Sequence, residues 1–512
     1  MPIFAISIAV IIILPLFLWL VRGRQRTLPF PPGPPGLPLV GNALNMPANQ
    51  EWKEFARWGD KYGSILHVSL FGQHLIILDT LEVSSALLDK RSNIYSDRPS
   101  LYVAGEVMGF TSTLALLPYG PRMRESRRLM HRLFGTEDNL QPYHASIEAA
   151  TSRLLVRLLG APEKFRENLR LNAGAIILGI SHGYKVKDKD DPFVRLTKLG
   201  TEAFSQALRP GAFLADLLPI LRYVPDWAPG TAWKQKAQEW AATANDMVRL
   251  PHEYVKTQMA RTALPSFTLT ELLQGAEETG GRREEDVMWA ASGIVGGASA
   301  VSASTSFFLA MVLYPDVQRE AQAELDAIVG SERLPCLADR ARLPYIDALV
   351  KEVLRWNPIF PLGGPHCLME DDVYNGYHIP KGSTVIANIW KILHDEERYN
   401  NPMSFKPERF LDSPGKPAEF DPRGIAFGFG RRHCGMRIRC TGMILAEASL
   451  FMTCAMVLSV FDISASDDNP ITEPLEYSDG VMSHPPPFKC NIVPRTESAV
   501  ALIQTIGEDR DA

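Results

Sequence analysis

One stretch of the 512-residue chain combines residue types able to do chemistry: Phe427-Gly428-Phe429-Gly430-Arg431-Arg432-His433-Cys434. Two glycines two apart let a backbone turn tightly and approach a flat ligand without Cβ clashes. Arg431 and Arg432 make the neighbourhood electropositive, which favours thiolate over thiol at Cys434 and suits an anionic ligand. A thiolate so placed is a metal ligand, whereas a thiol buried after a Gly-rich turn is inert, and the loop alone leaves both open. An apolar helical segment follows, Met443 to Phe461.

Other segments must position that loop. Pro121 to Phe134 reads as a basic helix carrying Arg122, Arg124, Arg127, Arg128, His131 and Arg132; most of these fit a solvated face. Glu285 to Tyr314 reads as one long apolar helix, roughly 45 Å at 1.5 Å per residue. Its middle holds Gly293, Gly296 and Gly297. Each interior glycine costs about 1 kcal/mol relative to alanine, so close approach of a ligand or of another helix is expected there. Pro315 opens the next helix and Gly330 closes it. Asp347 to Trp356 is a further helix, with Glu352 and Arg355 an i, i+3 pair on one face. Pro407-Glu408-Arg409-Phe410 begins 55 residues after Glu352, and Cys434 lies 24 beyond Phe410. Glu51 to Tyr62 is amphipathic; Ile65–Leu70 and His74–Leu78 flank a turn at Phe71-Gly72-Gln73; Leu81 to Lys90 is helical. Residues 93–119 show no periodicity. Phe204 to Trp227 is apolar and broken by prolines, which fits either a mobile or membrane-dipping lid or a plain connection.

Hydrophobic residues make up 46% of the chain, ample for a large core, and the net charge of −5 gives no reason to expect nucleic-acid binding. Six cysteines stand at 336, 367, 434, 440, 454 and 490, without zinc or disulfide-framework spacing, which points to a reducing compartment. Pro2 to Val21 is free of charge and long enough to cross a bilayer as a helix. Arg22, Arg24 and Arg26 follow it, so the positive-inside rule leaves the rest of the chain in the cytoplasm. No basic residue precedes the run and no small-residue cleavage site follows, unlike a signal peptide. The reading is a single-pass anchor at 1–21 in the endoplasmic reticulum membrane. A basic, proline-rich hinge at 22–40 comes next, then one catalytic domain at 41–497 and a polar tail at 498–512.

Phe-x-x-Gly-x-Arg-x-Cys at 427–434 resembles the haem-binding signature of the cytochrome P-450 family. The proline hinge, Glu352/Arg355 and Arg409 follow that family's order. The resemblance implies a mainly α fold with small β-sheets, a haem b cofactor held by a cysteine thiolate, and electrons from NADPH through a membrane-bound reductase. It implies insertion of one oxygen atom into a lipophilic small molecule, with local patterns most like fungal enzymes of secondary metabolism acting on terpenoids or polyketides. Carried over residue by residue, Cys434 is the iron ligand and Arg127, His366 and Arg432 face the haem. Ser299 stands where the oxygen-face threonine belongs, and Glu352, Arg355 and Arg409 lock the core beneath the haem.

Three departures sit at functional positions. Met123 replaces a tryptophan donor four residues before Arg127. Ala298 replaces the acid before Ser299. Cys434 is followed by Gly435 and Met436, while Cys440-Thr441-Gly442 to Glu447 fits the back half of the signature, as if six residues were inserted. The front half nominates Cys434 and the back half Cys440; the loop shapes the ligand's surroundings, so Cys434 is preferred. Two other readings stay open: a haem enzyme of rearrangement, dehydration or peroxide chemistry, and a non-catalytic anchored binding protein or mis-spliced product.

Overall fold

The computed structural model describes residues 28–508 apart from 210, 260–265, 276–280, 296–298, 433–441, 467, 469–470 and 474. The segment expected to be an anchor, Ala298, Cys434 and Cys440 therefore lie outside the described residues. The longer helices and the strands are α1 (Glu51–Tyr62), β1 (Ile65–Leu70), β2 (Gln73–Leu78), α2 (Pro121–Phe134), α3 (His144–Gly160), α4 (Phe165–His182), α5 (Pro192–Ala207), α6 (Ala232–Met259) and α7 (Phe267–Gly275). There follow α8 (Gly281–Val295), α9 (Ser299–Leu313), α10 (Pro315–Ile328), α11 (Pro344–Trp356), β3 (His366–Cys367), β4 (Asp372–Tyr374), β5 (Tyr377–Ile379), β6 (Thr384–Ala387), α12 (Met443–Val460), β7 (Phe461–Ala465), β8 (Cys490–Pro494) and α13 (Glu497–Glu508). The fold is predominantly helical with three small sheets.

The largest sheet has strand order β1-β2-β6-β3, with β2 and β6 parallel and the other pairs antiparallel. Its hairpin turns on two residues, Phe71 (φ 50°) and Gly72 (φ 86°), and Gln73 pairs with Leu70 as part of the strand. Positive φ at both turn residues matches the right-handed twist of the strands. β6 then brings in β3, aligning His366 with Val385.

The core is built on α12, which has no polar face: residues from Met443 to Val460 are buried around its circumference. Length and composition would let it cross a membrane, but 78% of it is buried inside the protein, as befits a central helix. Pro315 starts α10 directly after α9 at a 106° bend; its missing N–H is harmless at a first helical position.

Several expectations are revised. The 93–119 segment contains helical turns at Ser92–Tyr95, Tyr102–Val107 and Phe110–Ser112, burying Tyr95, Val103 and Phe110. Short turns with irregular apolar spacing leave no periodic signal. Leu81–Lys90 begins as α-helix and widens at Ser85–Asp89 into a π-helical turn. Helix is described over Gly281–Val295 and Ser299–Leu313, with Gly296 to Ala298 between them outside the described residues. Residues 498–508 belong to α13, with Ala499 and Ile503 buried, so this part of the expected polar tail is a packed amphipathic helix.

Candidate functional site

Gly428 and Gly430 both adopt positive φ (90° and 79°), the left-handed conformation for which glycine carries no Cβ penalty. A Cβ at Gly430 would also sit 2.6 Å from the Leu88 carbonyl oxygen. The loop is fastened there: Gly430 N donates to Asp89 Oδ1 at 2.7 Å. Residues Gly430–Arg432 form a 3-10 turn that leads into the cysteine segment. Arg431 Nη1 donates to the Tyr119 hydroxyl at 2.6 Å, and its guanidinium lies 5.8 Å from the centre of that ring.

Two residues assigned from sequence converge on this turn. Arg127, on α2, donates from Nη1 to the Arg431 carbonyl at 2.6 Å, tying the basic helix to the loop. His366, on β3, is buried, and its Cε1 lies 3.5 Å from where a Gly430 Cβ would be. His366 Nδ1 lies 2.8 Å from the Tyr95 carbonyl oxygen, which can only accept, so Nδ1 carries a proton. Nε2 can then donate to a carboxylate only as the imidazolium. Met123 is 1% exposed and serves α2 as a core side chain. Ser299 is the first residue of α9. Of Arg432 the backbone is described, within the 3-10 turn.

Residues that the sequence reading passed over hold this arrangement. Arg98 donates to the carbonyls of Ala115, Gly364 and Pro365, bracing the segment that enters β3. The Asp97 carboxylate accepts from Tyr119 N at 2.8 Å, and its carbonyl accepts from Cys367 N. Asp97-Arg98-Pro99 offered only a charged pair before a proline; the partners lie far along the chain.

Glu352, Arg355 and Arg409 meet as expected. Arg355 Nε and Nη2 fork onto the two Glu352 oxygens at 2.7 and 2.9 Å. Arg409 Nε reaches Glu352 at 3.3 Å, and Arg409 Nη1 donates to Glu419 at 2.6 Å. Glu419, which no motif flagged, makes the cluster neutral: two guanidiniums against two carboxylates. Beside it His394 is held neutral, its pKa pushed down to about 3 by burial and by the nearby Arg355 charge.

A haem needs space beside a helix and cations for its propionates. A Cβ at Gly293 on α8 would meet no atom within 4 Å, so the neighbouring helices do not require a glycine there and space remains for a ligand. Arg127 and His366 supply groups able to meet carboxylates at the edge of the cysteine loop. The residues present fit the cofactor.

Comparison with known proteins agrees. The chain is 48% identical to cytochrome P450 monooxygenase 208 of Postia placenta over 98% of both chains. It is 45% identical to the cytochrome P450 monooxygenase claR of Ampulloclitocybe clavipes, over 95% of this chain and 90% of that one. It is also 39% identical to the tryptamine 4-monooxygenase of Psilocybe cyanescens, over 94% and 96%. The sequence model of the cytochrome P450 family matches residues 31–492. With the cysteine loop, the buried Glu–Arg cluster and these relatives in agreement, the chain belongs to the cytochrome P450 family of haem-thiolate monooxygenases.

Proposed function

We propose that the protein is a monooxygenase of the endoplasmic reticulum membrane that oxidises a lipophilic small molecule, a fungal secondary metabolite such as a terpenoid or polyketide. NADPH supplies the electrons through a membrane-bound reductase. The observation that carries this is the convergence of Arg127 and His366 on the Gly430–Arg432 turn, two residues before Cys434. In this reading Cys434 ligates the iron, and Arg127, His366 and Arg432 hold the propionates. Haem, when bound, supplies the activation of dioxygen that lets one oxygen atom enter an unactivated C–H bond or alkene. Ser299 offers a hydroxyl to hold a proton on the oxygen side. Ala298 offers no carboxylate, so Ser299 relies on water or a substrate hydroxyl for its proton.

The deciding measurement is the carbon-monoxide difference spectrum of the reduced protein, on the parent, Cys434→Ser and Cys440→Ser. The expected result is a red-shifted thiolate band lost in Cys434→Ser and kept in Cys440→Ser. Loss in Cys440→Ser alone moves the ligand by six residues, and no band in the parent sinks the assignment. Ala298 specifically favours a second reading, peroxide-driven or rearrangement chemistry, which needs less proton delivery. Turnover with peroxide and without reductase identifies it.

The membrane assignment draws support from the surface. Leu214, Ile220, Tyr223 and Trp227 are 53%, 71%, 81% and 84% exposed, far beyond scattered surface apolar residues. Gln73 donates to the carbonyls of Asp216 and Leu217, placing this segment beside the β1–β2 hairpin. Exposed Leu37 and Leu39 lie at the end of the hinge and exposed Leu44 just beyond it. An apolar ledge of this kind beds into the interface between headgroups and acyl chains. With the full chain in vesicles, brominated lipid is expected to quench Trp227, and Trp227→Phe removes that share of the quenching; unchanged quenching refutes the contact.

A further inference from the structure

A cavity of about 400 Å³ lies between α4, α5, the start of α9 and the segment Ser478–Pro487. Ala173, Ile177, Leu178, Val194 and Met482 give it an apolar wall. Arg166 and Arg170, one turn apart on α4, also line it. Neither guanidinium meets a carboxylate among the described residues; Arg166 makes one hydrogen bond, to the Pro485 carbonyl at 3.1 Å. Burial and the neighbouring Arg170 both hold Arg166 below its ordinary pKa. His484 lines the same cavity and is held neutral, its pKa pushed down to about 4 by burial and by the same two arginines.

The acids on the lining have partners of their own, Lys198 of the same lining among them. Glu202 faces Lys198 at 4.0 Å, and Asp479 accepts from Gln50 N at 2.8 Å. Thr201 on α5 adds a further side chain to the lining. Like charges one turn apart destabilise a helix unless an anion sits between them.

We propose that this cavity binds the carboxylate end of an amphipathic acid. The carboxylate lies between Arg166 and Arg170, and the apolar body runs along Ala173, Ile177 and Val194. A cavity of this volume is within the range of small-molecule sites, apolar with a few convergent polar groups. The site stands on residues outside the cysteine loop and does not depend on how the haem is held.

Calorimetric titration of the full chain with 4-phenylbutyrate and with 4-phenylbutan-1-ol tests it, because the two differ only in the charged end. The acid is expected to bind about 10-fold more tightly than the alcohol, the scale of a charge-assisted hydrogen bond. Arg170 makes no hydrogen bond or ion pair among the described residues, so Arg170→Gln leaves the fold intact. That variant should lose most of the preference for the acid while binding the alcohol as before, and Arg170→Lys should keep part of it. Equal affinities for acid and alcohol in the parent overturn the proposal. So does an acid preference unmoved in Arg170→Gln.

Discussion

Replacing Glu352 with glutamine is expected to destabilise the protein by about 3–5 kcal/mol, the scale of removing one partner from a buried ion pair. Arg355 is fully buried and Arg409 is 3% exposed, so neither guanidinium can turn to water. Glu352 accepts from Arg355 twice, from Arg409 and from Lys406 N at 2.7 Å. A glutamine presents its NH2 group to one of these donors and leaves two buried cations facing Glu419 alone. Arg355 also donates to the carbonyls of Leu393 and Ser404, so the cluster joins α11 to the 3-10 turn at Pro407–Phe410 and to the segment around Ser404. The readout is urea unfolding together with the yield of protein carrying the thiolate band. Glu54→Gln, which breaks the exposed pair with Arg57, should cost well under about 1 kcal/mol in the same assay. Equal stability of Glu352→Gln and Glu54→Gln contradicts the role given to the cluster.

The second large effect is a change in pH dependence at Asp79. Its carboxyl is buried at the end of β2, against Gly59 of α1, where a Cβ would collide with it. Asn388 Nδ2 donates to Asp79 Oδ1 at 2.9 Å. Burial pushes the pKa up from 3.8 to about 7, with the Asn388 hydrogen bond and the Lys391 charge opposing. A raised pKa means the folded chain keeps a proton that the unfolded chain has released. The contribution is fully present below pH 3.8 and is lost as pH rises to about 7, beyond which it is flat. Asp79→Asn supplies a permanently neutral isostere. Its stability relative to the parent should rise by up to about 3 kcal/mol between pH 5 and pH 8, at 1.36 kcal/mol per pH unit. The buried histidines, among them His182 and His394 with pKa values near 3, pull stability down as pH falls below 6.5 in both proteins and so cancel in the difference. Parallel pH profiles for the parent and Asp79→Asn refute the assignment.

Much of this molecule is written locally. Glu51–Tyr62 and Pro121–Phe134 form helices between the residues their pattern and first proline nominate, because amphipathic spacing and end signals are properties of adjacent residues. The turn glycines of the cysteine loop and the Glu352–Arg355 spacing are legible for the same reason. Partners brought together by long loops are not. Glu419 completes the buried cluster, Asp89 pins Gly430, and Arg98 braces the approach to His366, yet none stands in a repeating pattern. The same holds for α13, whose apolar run Ala499 to Ile503 gains a structural meaning only from what Ala499 and Ile503 are buried against. The cavity beside Arg166 and Arg170 is the extreme case. In sequence these are two arginines one turn apart on a helix; only the packing of α5 and the Ser478–Pro487 segment sets them on one wall of a cavity without an ion-pair partner among the described residues. The sequence by itself determined the helices with clear spacing and end signals, the cysteine loop and the family's residue order. Tertiary structure alone decided which charges far apart in the chain are paired, because that depends on distance in space and burial, and neither is encoded in the spacing of residues along the chain.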